Sequence, residues 1–454
     1  MKSFRFSCIL LNLLLILSVV SFSLPVVSES ADLSVGYAEL DITPPLGVTM
    51  PGYFHTRHAS EILDPLLVKA LILRQRETTL VFAAFDLIGI PASVAQSIRE
   101  EIEKQTGVPS DHVFVHGTHT HTGATVSEIK DKLPEQAAAA VQKALENCVA
   151  ENQVSLGVGQ EKSVAFIRRY LMTDGTVRTN PGRSNPNIVR PIGQIDPSVN
   201  VITFGAARTL LVSYGLHLDC IGGDKFSADY PYHLTQAVKQ SLGDEWNVIY
   251  LNACCGNVNH INVNDPGQRS GYDESRRIGQ ALAQAVLAAR KTAKPIQIDS
   301  LDAQTEIVSS PIRAVPPDML EWAQQQMKDN PDEANKRKFN EQTPFKILEL
   351  AEKEGTSLPA EIIAFRIGPL AVVGLPAEVF KEVAGDIKRH SLLDPTLVIG
   401  VTGGYMGYLP HPRGYDEGGY EATFGSARFA PQTSILWADA AVRLIQKEIQ
   451  NKMD

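Results

Sequence analysis

Apolar positions along the chain fall into short runs, and the runs return in a fixed order. Residues 67–86, LVKALILRQRETTLVFAAFD, read as a strand, a polar turn and a second strand. β-Branched and aromatic residues crowd both runs, as on strands buried on two faces. ASVAQSIREEIEKQTG then spaces its apolar positions as a helix does, and DHVFV (111–115) is strand again. The order returns at 199–219, with a turn at 205–208, followed by the helix-like YHLTQAVKQSLG and the strand-like WNVIYLNACCGN (246–257). It returns a third time at 361–378 around the turn Gly368-Pro369, followed by EVFKEVAGDIKRH and PTLVIGVTGGYMGY (395–408). Strands alternating with helices predict an α/β fold, here mixed sheets built from repeated hairpin–helix–strand units and flanked by helices. The amphipathic SILWADAAVRLIQKEIQ is expected to close the fold. Residues 317–355 are charged, helix-rich and free of strand signal, and predict a helical insertion over the core of one domain spanning 31–454.

Strand ends carry the chemistry. The second strand of each hairpin runs out at Asp86, His217 or Glu378, and the strand after each helix runs out at His119 with His121, at Asn257 or at Tyr408. Open α/β sheets bind ligands beyond the carboxyl ends of their strands, so these residues are expected to meet on one edge. The run HGTHTHTGA (116–124) holds three of the chain's 11 histidines. In an extended chain His119 and His121 point to one side, where two imidazoles bind a metal, or one binds metal and the other substrate. The bland reading is a surface His/Thr turn. His116, across a glycine from the pair, is expected to tolerate replacement. Asp86 and Asp229 are candidates for a general base or for a partner that supports the ligands from behind, or else buried capping carboxylates; Tyr405, Tyr415 and Asn257 are expected to line a pocket.

Composition narrows the partners. The chain has 454 residues, 44% of them hydrophobic, a net charge of −9 and no Lys/Arg run, which excludes nucleic acid as a partner. Lys2 and Arg5 precede an apolar stretch that ends in small residues, which reads as a signal peptide over residues 1–30 cut after Ser30. The mature protein is then secreted or periplasmic, with no transmembrane segment after cleavage. Cys148, Cys220, Cys254 and Cys255 are too few for a disulfide scaffold; they read as buried thiols, with a bridge from Cys220 to Cys254 or Cys255 as the alternative. Gly-x-Ser-x-Gly, phosphate-loop and dinucleotide fingerprints are absent, and a Cys254 or Cys255 pair with His260 has nothing visible to lower a thiol pKa.

Taken together, VGYAELDITPPLGVTMPGY (35–53), FDLIGI, FVHGTHTHTGA, YGLHLD, GLPAEVF and GGYMGYLP…GYDEGGYEA resemble the catalytic N-terminal domain of the neutral/alkaline non-lysosomal ceramidases. The resemblance covers nearly all of the mature chain. It implies a zinc site made by His119, His217, Glu378 and Tyr408, with substrate contacts from His121, Tyr420 and Arg168, Arg169 being the near-equal choice for the last. It further implies an amidase of sphingolipid metabolism that cleaves an amphiphilic N-acyl compound with metal-activated water, in peripheral contact with membranes. Two positions differ. Leu218-Asp219-Cys220 follows His217 where the ceramide enzymes have a Thr-Ser stretch, and Asn257 stands where they have Asp. A related zinc hydrolase of a glycan- or cell-wall-derived amide or ester, and a non-catalytic metal-site binding protein, are the alternatives.

Overall fold

Each predicted hairpin forms, and each pairs onward as its sequence order implies. The computed structural model describes residues 33–337 and 339–450, within a compact unit Asp32–Asp454; the expected leader lies outside the described residues. In the first sheet β1 (Ser34–Asp41), β2 (Leu67–Gln75) and β3 (Thr78–Phe85) are antiparallel neighbours. The chain then crosses through α1 (Ala92–Thr106), which Gly107 ends in a left-handed conformation (φ 74°), and β4 (Val113–Gly117) returns parallel to β3. Helix α2 (Leu133–Glu146) follows.

The second sheet repeats this plan. β5 (Val154–Gln160), β6 (Ser198–Phe204) and β7 (Thr209–Tyr214) are antiparallel; α3 (Tyr230–Leu242) crosses over; β8 (Asn247–Asn252) lies parallel to β7, and α4 (Tyr272–Lys291) follows. The third has β9 (Leu301–Pro311) and, past an insertion, β10 (Ser357–Ile367), β11 (Leu370–Gly374), α8 (Lys381–His390) and β12 (Thr396–Ile399), again parallel to its hairpin. The insertion is helical: α5 (Pro317–Asp329), α6 (Pro331–Ala334) and α7 (Pro344–Ala351), each opened by proline, whose missing N–H costs nothing in a first turn. α9 (Thr433–Gln450) packs on the third sheet through Trp437, whose Nε1 donates to Ser310 Oγ at 2.8 Å.

Two-sided strands need cover on both faces. The outward faces take helices: Ile98 and Val141 on the first sheet, Leu234 and Leu282 on the second, Ile387 and Leu444 on the third. The inward faces of all three sheets meet in one cluster centred on Phe82, Phe114 and Phe365, whose rings lie 5.3 to 5.6 Å apart. Burying each such ring contributes roughly 1.5–3 kcal/mol. At their carboxyl ends the units are tied by polar bonds as well. Asn252 Nδ2 donates to Thr118 O, its Oδ1 accepts from Leu216 N, and its backbone N–H donates to His116 Nε2 at 3.1 Å. His116 Nδ1 donates to Gly400 O at 3.1 Å. His116 is therefore a fully buried cross-link between the three units, a structural role that its place in the histidine run does not reveal.

Candidate metal centre

Four segments deliver the donors. His119 lies just past β4 with φ 79°, a left-handed conformation that is uncommon for a residue with a side chain. That backbone, rather than an extended one, brings it alongside His121, with ring centroids 5.1 Å apart. His217 follows β7. Glu378 and Tyr408 sit opposite one another in a two-residue parallel pairing beyond the third sheet. The ring atoms converge: His119 Nε2 is 3.3 Å from His217 Nε2, and Glu378 Oε2 is 3.2 Å from the first and 3.0 Å from the second. Tyr408 Oη is 3.5 Å from His217 Nε2. Ligands of a tetrahedral ion with bonds of about 2.0–2.1 Å stand roughly 3.3–3.4 Å apart, so these separations suit one shared ion.

The histidines are oriented alike. His119 Nδ1 lies 2.6 Å from Ile88 O, His217 Nδ1 3.0 Å from Cys255 O, and His121 Nδ1 3.2 Å from Gly52 O. A carbonyl only accepts, so each Nδ1 carries the proton and each Nε2 presents a lone pair inward. This is the second-layer support that metal-binding imidazoles use. The ligand atoms of His119, His121 and His217 lie within 4.8 Å of one another, close enough for the group to hold a metal ion. His121 stands one step back: its Nε2 is screened from solvent yet has no hydrogen-bond partner. Buried polar atoms are rarely left so, and this one faces the cluster. Its tautomer leaves no Nε2–H to stabilise an oxyanion, so the substrate contact expected of His121 is that of an acceptor.

Electrostatics match. Burial alone would raise the Glu378 carboxyl, but His119 and His217 hold it well below the usual carboxylate range. Burial lowers His119, and Glu378 more than compensates, so it is raised; His217 is lowered by burial and by Arg168. Arg168 rather than Arg169 reaches the cluster, with Nη1 3.2 Å from His217 Nε2 while Glu421 Oε1 and Gly256 O accept from its Nε and Nη2. Arg169 instead donates to Glu417 and Gly418 O and borders a separate cavity of about 330 Å³ beyond Phe380, which touches none of the cluster's donors. Gly256 permits close packing here: a Cβ would stand 2.5 Å from Glu378 O.

The other candidate residues have partners of their own. Asp86 spends its oxygens on Leu67 N and Thr118 Oγ1, and Asp229 caps α3 while accepting from Cys220 N; both are capping carboxylates, turned from the cluster. Asn257 bonds Glu382 and Lys381 N, and Tyr415 donates to Phe429 O, so neither lines the site. Tyr405 does, donating to Glu378 Oε1 at 2.7 Å, a bond with no sequence signal. All four described cysteines are free; Cys254 and Cys255 lie just past β8 rather than on it, and burial pushes the Cys254 thiol up to about 12. His260 pairs with Asp219 at 3.0 Å, not with a thiol. The cluster opens through a cleft of about 280 Å³ walled by Tyr53, Phe54 and Tyr420, with Arg337 from the insertion and Arg428 at its mouth. Phe339, also from the insertion, packs 4.8 Å from Tyr420. Among the described residues no helix is long and apolar enough to cross a membrane.

No family model and no curated protein matches the sequence. By structure the chain is similar to neutral ceramidase from Pseudomonas aeruginosa, with a TM-score of 0.69 at 18% identity over 92% of this chain and 75% of that one. It is also similar to a ceramidase complexed with C2, with a TM-score of 0.71 at 16% identity over 93% and 76%. The fold is thus the one the motifs implied, shared at low identity.

Proposed function

We propose that this chain is an exported zinc hydrolase of the neutral-ceramidase type, cutting the amide bond of an N-acyl compound. The carrying observation is the convergence of His119, His217, Glu378 and Tyr408, with donor separations of 3.0 to 3.5 Å. These four would hold the ion, and residues 31–454 would form the catalytic domain with its helical insertion. Zinc, when bound, supplies Lewis acidity toward a carbonyl and makes water acidic enough to attack near neutral pH. The chain's own residues do the rest. Arg168 is locked by Glu421 and Gly256 O, and keeps its charge beside the cluster where negative charge would develop on the carbonyl oxygen. His121 Nε2, buried beside the cluster with no partner of its own, can accept a hydrogen bond from the attacking water or the substrate and so orient it. Tyr53, Phe54 and Tyr420 give an acyl group an apolar wall and keep bulk water from the reacting atoms.

The test is elemental analysis of purified protein together with a panel of ceramides, N-acyl amino acids, N-acyl amino sugars and matched esters. About one zinc per chain is expected, with amide hydrolysis that is lost to a chelator and restored by the metal. Turnover of esters or glycan amides alone would favour the alternative hydrolase. Stoichiometric zinc without turnover of any class would favour the binding protein. Protein that is metal-free after folding in zinc, or chelator-resistant hydrolysis, would sink the reading. Export predicts a mature N-terminus at Ala31, read by peptide sequencing of the secreted protein.

A further inference from the structure

The cleft above the cluster is basic on a protein that carries a net charge of −9. Arg337 and Arg428 both border it. The same two side chains, with Gly425 and Ser426, border a second cavity on the side of α7, whose walls add Lys346, Lys353 and Glu349. The two cavities are neighbours that share the arginines as a common wall. Four cations line the second cavity against one carboxylate, and Glu349 is already shared by Lys346 at 2.6 Å and Lys353 at 3.0 Å. Arg337 donates to Gly425 O and lies 5.4 Å over the Phe54 ring. Among the described residues neither arginine has a carboxylate partner. Arg337 borders the same cleft as Tyr405 and Tyr420, so it bears on the site and not only on bulk solvent.

We infer that the substrate carries an anionic group, a carboxylate or sulfate, at the end remote from the scissile bond, and that Arg337 and Arg428 bind it. This rests on the amidase reading for the position of the scissile bond. Guanidinium groups suit such oxyanions because they donate in a planar fork, and a surface on which one sign of charge predominates raises the local concentration of its counter-ion. An uncharged ceramide would leave both arginines idle. The helical insertion, which supplies Arg337, Lys346 and Lys353, is then the element that sets specificity.

Two matched pairs of compounds test this. One pair is N-butyl dodecanamide and the N-butyl monoamide of dodecanedioic acid, with the charge on the acyl side. The other is N-dodecanoyl-4-aminobutanol and N-dodecanoyl-4-aminobutanoate, with the charge on the amine side. In one pair the anion should gain about tenfold in kcat/KM at low salt, as two partly exposed ion pairs together give, and the gain should shrink as salt rises. Arg337→Gln and Arg428→Gln should each narrow the ratio, and the double variant should bring it near one. Calorimetric binding of the same four compounds to zinc-loaded protein reads the preference even if no amide is cut, so failure of the amidase reading and failure of the charge reading are separate results. Equal binding within both pairs, or a preference that survives in the double variant, overturns the inference.

Discussion

His116→Ala separates the structural histidine of the HGTHTHTGA run from the two that face the cluster. The imidazole is fully buried, takes a hydrogen bond from Asn252 N and gives one to Gly400 O. Burial pushes its pKa down to about 3, so it stays neutral and can do both at any ordinary pH. Alanine leaves the two partners in different positions. Gly400 O keeps a second donor, Thr402 Oγ1 at 3.1 Å; the Asn252 N–H keeps none in the structure as it stands. One orphaned buried N–H costs about 1–3 kcal/mol and the second lost bond about 1, and the vacated volume adds to both. The sum is roughly 3–5 kcal/mol, large against the 5–15 kcal/mol that usually holds a domain together. Urea unfolding of zinc-loaded His116→Ala should show the midpoint fall with an unchanged slope. His116→Gln, whose amide oxygen can still accept from Asn252, should recover most of the loss. A His116→Ala protein within about 1 kcal/mol of the parent, by that same unfolding measurement, would refute the cross-link.

His119→Ala and His217→Ala should each weaken zinc binding by more than about 100-fold in a chelator competition, while His121→Ala should keep the metal and lose about 100-fold or more in kcat/KM; the reverse pattern would exchange their roles. Gly256→Ala should lower both stability and zinc affinity, because its methyl would meet Glu378 O at 2.5 Å, and normal values for both would show that the loop yields freely. Asp64 holds its proton up to about pH 7, since burial outweighs the bonds it accepts from Ser227 Oγ and Ala228 N. An unfolded carboxyl lets go near pH 4, so stability from this group falls as pH climbs from about 4 to 7. Asp64→Asn, whose amide can keep both partners, should flatten that fall in urea midpoints taken at pH 5 and pH 8; parallel curves would count against it.

The three hairpins were readable because their strands are buried on both faces, so apolar runs and Gly-containing turns mark them at 205–208 and 368–369. What opens each sheet was not: β5, with the alternating SLGVGQ, and the long β9 carry weak runs that only their neighbours complete. Side-chain identity at the strand ends was legible, but direction was not. Asp86 and His119 both follow strands of the first sheet; one turns back to cap Leu67 N and the other turns inward through a positive φ. β12 stops at Ile399, so Tyr408 is delivered by a loop through Val401 (φ 51°) and Gly407 (φ 82°) instead of by a strand. Conformations of that kind are set by tertiary contacts such as Gly403 N to Val115 O at 2.8 Å, which no local periodicity records.

The repeated units and the cluster they serve close on different scales of chain. Within a unit the partners are near in sequence, as Leu370 and Ile367 are across one turn. The donor atoms are not: His119 and His217 are 98 residues apart, His217 and Glu378 161, His217 and Tyr408 191. Local contacts form early and distant ones late, so the donor set assembles only with the distant contacts that join the sheets, such as Phe82 with Phe365. A ribosome-bound chain that has completed its first two units holds the histidines but neither the carboxylate nor the phenol. Closure of the cluster should therefore trail the hairpins in a refolding time course followed by circular dichroism and zinc uptake.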